Sequence, residues 1–75
     1  MPQINLEAIK KAMKRKGITQ PQLASRLRIT PSSVYRKLSG ETEFTASQLG
    51  EISDYLGITV VDLFGYHEKS QGGIF

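Results

Sequence analysis

No cysteine occurs in the sequence, so neither a disulfide nor a thiolate metal site can staple the fold. Histidine occurs once, as His67, and the carboxylates around it lack metal-ligand spacing. Catalysis needs a positioned constellation, and a lone histidine beside the C-terminus reads as a surface side chain. No enzyme, cofactor, metal site or small-molecule substrate is expected. No apolar run approaches the roughly 18 to 20 residues of a membrane span. The first residues also lack the apolar stretch of a signal peptide, so a soluble cytoplasmic protein with no membrane partner is the default. A chain of 75 residues makes one small core of marginal stability, held by packing alone or by packing and dimerisation.

Acidic residues are scarce in the first half and basic ones in the second. Residues 1–39 carry nine lysines and arginines against Glu7 alone, a balance of +8. Residues 40–75 carry Lys69 against six carboxylates, a balance of −5, and the two give the net +3. Such asymmetry fits a polyanionic partner for the first half. The competing reading is that the halves neutralise each other across the fold.

What is present is a run of helix signals. Asn5 can cap a first helix whose Leu6, Ile9 and Met13 form an apolar stripe, with Glu7 in its first turn and Lys14-Arg15-Lys16 in its last. Gly17 supplies a left-handed stop. Thr19-Gln20-Pro21-Gln22 is a capping box with proline in the first turn, opening a helix of roughly nine residues with Leu23, Ala24 and Leu27 inward. Arg28-Ile29 makes a tight corner, and Thr30-Pro31 starts a third helix that ends at Gly40. Ile29, just before that cap, is placed for a staple contact with Val34. A polar loop with one aromatic, Phe44, follows. Thr45-Ala46-Ser47-Gln48 is a second capping box, for a helix with Leu49, Ile52 and Leu56 inward and Gly57 as its stop. Thr59 to Asp62 caps a last short helix in which Leu63 and Phe64 close the core. Residues 66–75 have no period and read as a flexible C-terminal tail. The whole is an all-α domain of five short helices over residues 1–65.

Helices two and three are joined by the short connection of a helix-turn-helix. The stretch GITQPQLASRLRITPSSVYRKLSG resembles the helix-turn-helix of the lambda-repressor-like (Cro/C1-type, XRE) family. Gly17, Ile18, Thr19, Gln20, Leu23, Ala24, Leu27, Ile29 and Thr30 fit the family pattern in order. The stretch LGEISDYLGITVVDLFG resembles that family's fourth and fifth helices, so the likeness covers residues 4 to 65. It implies a compact five-helix fold with helix three in the DNA major groove, and a phosphate bond from Gln20. A helix N-terminus is a natural anion site, which agrees; the plainer reading of Gln20 is a polar first-turn residue. Two departures stand out. Arg28 occupies the place where many members carry glycine between the helices, which leaves the turn geometry open. Pro31 stands where relatives often place a long polar base reader, so any contact it makes is apolar, as with a thymine methyl.

At about 100° per residue, Val34 and Leu38 define an inward direction near 20°, and Arg36, at about 200°, lies opposite. Ser32, at about 160° on the same wheel, precedes it by one turn, with Ser33 and Lys37 on one flank and Tyr35 on the other. Arg36 is the best candidate for a bidentate bond to guanine, against a solvated arginine as the alternative. Base contacts are expected from Arg36, Ser32, Tyr35 and Pro31. Phosphate contacts are expected from Gln20, Thr30, Ser33, Lys37, Ser39, Thr42 and Arg15. Lys37 could instead pack its stem and snorkel, and Lys14 to Lys16 could be a solvated helix end. Glu41 and Glu43 oppose DNA after helix three, so contacts there fall to main-chain N–H groups and Thr42.

The function expected is that of a small sequence-specific regulator, a phage-type or prokaryotic repressor. It would bind a double-stranded operator in the cytoplasm, at the nucleoid, as a homodimer formed through helix five or the tail. The alternative from another class is a protein-interaction module on the same fold, an antitoxin or an antirepressor target whose partner is a regulatory protein.

Overall fold

Five helix starts are written in side chains that accept the first free N–H groups. A computed structural model describes residues 4–64; the predicted tail and His67 lie outside them. Asn5 Oδ1 accepts from the Ala8 N–H at 3.1 Å and opens α1, Leu6–Lys16. Thr19 and Gln22 exchange both bonds of a capping box, at 2.9 and 3.2 Å, ahead of α2, Gln20–Leu27. Thr30 Oγ1 accepts from the Ser33 N–H at 3.1 Å and opens α3, Pro31–Leu38. Thr45 and Gln48 repeat the box before α4, Ala46–Leu56. Thr59 Oγ1 accepts from the Asp62 N–H at 3.0 Å at the start of α5, Val60–Phe64.

The helix ends are equally local. Gly17 and Gly57 take left-handed φ angles of 70° and 68°, as their places predict. α2 is one residue shorter than expected and ends at Arg28, which also takes the left-handed conformation, at φ 60° and ψ 40°. The Ile29 N–H reaches back to the Ala24 carbonyl at 3.0 Å and the Arg28 N–H to Ser25 at 3.2 Å. That is the paired closure of a Schellman turn, a role that glycine usually fills. Arg28 is the sole non-glycine with positive φ among the described residues, so the left-handed turn forms here without a glycine. α3 stops at Leu38, with Ser39 as cap and Gly40 left-handed at φ 88° just beyond.

These elements close over one core. Ile9, Leu23, Val34, Ile52, Leu56 and Leu63 are fully buried, and no polar residue is buried among those described. α2 packs on α3 and α4, while α1 packs on α4 and α5. The Asn5 N–H donates to the Leu63 carbonyl at 2.6 Å, fastening the start of the described chain to α5. Leu49 and Phe64, expected inward, are half-buried at the rim. Phe44 is 7% exposed and belongs to the core, although it stands in a polar loop. The result is a scaffold that presents the starts of α2 and α3 on rigid supports. None of the described helices is long and apolar enough to cross a membrane.

Candidate nucleic-acid interface

A helix N-terminus offers an anion whatever main-chain N–H groups its caps leave over. At α2, Pro21 has no N–H and that of Gln22 goes to Thr19. The N–H of Gln20 is left, alongside its exposed side-chain amide. At α3, Pro31 has none and that of Ser33 goes to Thr30, which leaves the N–H of Ser32. Proline in both first turns thus confines each start to one main-chain donor.

The outer surface of α3 follows the helical wheel. Val34 and Leu38 are buried at 0% and 4% exposure. Pro31, Ser32, Tyr35 and Arg36 are exposed, and Tyr35, at 61%, is a large aromatic left facing solvent. Arg36 Nη1 donates to Ser32 Oγ at 3.0 Å, one turn back along the same face. Arg36 makes no ion pair among the described residues, so none of them neutralises its charge on that face.

Other expected contacts are already engaged within the protein. The Thr30 hydroxyl donates to Ser33 Oγ at 3.1 Å while capping the helix, so its donor is spent and Ser33 sits half-buried beside it. Lys37 Nζ donates to the Glu43 carbonyl at 2.8 Å and lies 5.9 Å from the centre of the Phe44 ring. Its ammonium is thus partly committed to the loop rather than left wholly to solvent or a partner. The Ser39 hydroxyl donates to the Arg36 carbonyl at 2.9 Å.

The loop after α3 is tied inward as well. The N–H of Glu41 and that of Thr42 both donate to the Arg36 carbonyl, at 2.9 and 3.4 Å, and that of Gly40 donates to Lys37. The N–H groups of Gly40, Glu41 and Thr42 are thus occupied, while those of Glu43 and Phe44 have no hydrogen-bond partner among the described residues. The Thr42 hydroxyl is left.

Arg15 and Gln20 stand apart from this group. Both are exposed and neither shares a hydrogen bond or ion pair with the α3 residues. Arg28, for which the sequence suggests no contact, is exposed at the corner between the two helices and has no ion-pair partner among the described residues. Its place in the family's glycine position was the available signal. Among the described residues, no three His, Asp or Glu side chains gather as a metal site.

Neither the curated proteins nor the solved structures include a match to the chain. A family model described as the Cro/C1-type HTH DNA-binding domain matches residues 8–69, most of the sequence. With α2 and α3 joined by the left-handed corner at Arg28 and the remaining helices packed behind them, the chain belongs to the Cro/C1-type helix-turn-helix DNA-binding domains, a generally non-enzymatic family whose ligand is double-stranded DNA.

Proposed function

We propose that the protein is a sequence-specific transcriptional repressor that binds its operator as a homodimer with α3 in the major groove. One observation carries the reading: Arg36 is exposed and pairs with no carboxylate among the described residues, opposite buried Val34 and Leu38 on the helical wheel. A guanidinium so placed has the two-pronged donor geometry that fits guanine O6 and N7. Tyr35 and Pro31 add apolar surface for a thymine methyl, and Ser32 stands one turn before Arg36 in hydrogen-bond contact with its guanidinium. Gln20, with its unspent main-chain N–H, is the principal phosphate anchor, and Arg15 and Thr42 extend the backbone contacts. Thr30 and Ser39 must release their internal hydroxyl bonds to donate to phosphate, whereas Ser33 and Lys37 keep donors to spare. Exposed Val60 and Val61 on α5 supply apolar surface for the second copy, and two half-sites bound together multiply affinity.

The test is binding of wild type, Arg36→Ala and Gln20→Ala to sites selected from a random DNA pool, and to single-base variants of those sites. Arg36→Ala should relax preference at one base pair per half-site, a loss of about 1–3 kcal/mol of discrimination. Gln20→Ala should weaken all sequences alike, and affinity should fall steeply with salt as counterions are released. Unchanged base preference in Arg36→Ala would sink the assignment of α3.

A further inference from the structure

The arginine proposed to read the operator is held at both ends by its own surroundings. Its Nη1 donates to Ser32 Oγ at 3.0 Å, and its carbonyl accepts from the Ser39 hydroxyl and the Glu41 N–H, each at 2.9 Å. The backbone at this position is therefore fixed by the loop, and the guanidinium by the preceding turn of the helix. We infer that Ser32 is a positioning residue, which orients Arg36 for base recognition and reads no base of its own. This rests on the assignment of Arg36 as base reader.

The donor inventory explains why the bond leaves recognition intact. Arginine carries five N–H donors in a planar fork. Ser32 occupies Nη1, so the edge formed by Nε and Nη2 keeps two parallel donors, the pair needed for a bidentate acceptor. An exposed arginine loses much of its rotamer freedom when it docks. Ser32 imposes part of that order before DNA arrives, and its hydroxyl hydrogen stays available to a water or a phosphate oxygen. Among the described residues no other side chain hydrogen-bonds the Arg36 guanidinium, so the turn Ser32–Arg36 carries the positioning.

The test is a double-mutant cycle on the selected operator and its single-base variants, using Ser32→Ala, Ser32→Thr, Arg36→Ala and the double variant Ser32→Ala/Arg36→Ala. Ser32 is exposed and leaves the core untouched, so the variants fold. Ser32→Ala should weaken operator binding about 3- to 10-fold, with the loss confined to the base pair that Arg36→Ala relaxes. The double variant should bind no more weakly than Arg36→Ala alone, and Ser32→Thr, which keeps the hydroxyl, should bind near wild type. Additive losses, relaxation at a different base pair, or no loss in Ser32→Ala would each overturn the inference while leaving the assignment of Arg36 standing. If Arg36→Ala itself relaxes no base pair, the assignment fails, and this inference with it.

Discussion

Arg26 of α2 donates through Nε to Glu51 Oε1 of α4 at 3.0 Å, across the boundary between the basic and acidic halves of the chain. Its Nη2 reaches Asp54 Oδ2 at 3.1 Å, and its Cζ lies 4.9 Å from the centre of the Tyr55 ring. The hydrogen bond to Glu51 holds the guanidinium pKa above its ordinary value, with desolvation opposing and the charges of Glu51 and Asp54 assisting. Among the described residues, ion pairing between the halves thus occurs at one arginine. Lys10 meets Glu7 within the basic half at 3.8 Å, and the described Lys11, Lys14, Arg15, Lys16, Arg28 and Arg36 have no ion-pair partner. The excess charge is left for a polyanion.

The clamp should therefore act on stability and leave base preference alone. A base whose pKa rises on folding contributes in full below its unfolded value and loses that contribution only as pH climbs through the folded one. For an arginine that window lies above any working pH, so salt is the usable lever. Arg26→Gln should lower Tm at low ionic strength, and the gap from wild type should shrink toward 1 M salt, where screening reaches about 3 Å. A gap of the same size at both salts would show that the guanidinium's contact with the Tyr55 ring, not its ion pairs, is what Arg26 supplies.

Phe44 illustrates a different dependence. It is buried against the core while Lys37 lies over its ring and bonds the carbonyl of Glu43. Truncation to alanine removes a core side chain at a cost of about 3–5 kcal/mol, most of the stability that a domain of this size commands. Urea unfolding of Phe44→Ala should show either an unfolded chain or a midpoint far below wild type, while Phe44→Leu should stay folded with a smaller loss. A loss under about 1 kcal/mol in Phe44→Ala would mean that the loop 41–44 is not part of the core.

The difference between what was legible and what was not follows sequence separation. Asn5, the two capping boxes and the stops at Gly17 and Gly57 are settled within a few residues, so spacing alone exposes them. The wheel of α3 was legible for the same reason: Val34 and Leu38 share one turn and fix where Arg36 points. Phe44 stands in a loop without helical period, so no local pattern marks it as part of the core. The Arg26–Glu51 bond joins residues 25 apart, which no local pattern registers. Donor occupancy was also hidden. That Thr30 and Ser39 spend their donors inside the protein, and Lys37 one of its own, depends on exact side-chain reach, whereas the sequence shows only that donors exist there.

The corner at Arg28 offers the last test. Its φ of 60° puts an L-residue where the Cβ crowds the following carbonyl, a strain of about 1–2 kcal/mol that glycine avoids. The turn is closed by main-chain bonds from Arg28 to Ser25 and from Ile29 to Ala24, which a substitution of the side chain leaves in place. Glycine also frees the unfolded chain, which offsets about 0.4–1 kcal/mol of the relief. Arg28→Gly should therefore gain about 0.5–1 kcal/mol net, seen as a Tm higher by a few degrees in a domain of this length. Arg28→Ala removes the same charge and stem but keeps the Cβ, so it should leave Tm near wild type. Equal shifts in the two variants would assign the effect to the lost side chain and remove backbone strain from the account. A gain in Arg28→Gly alone would establish that the left-handed turn, kept here without its usual glycine, is held against a local conformational cost by the packing of α2 on α3.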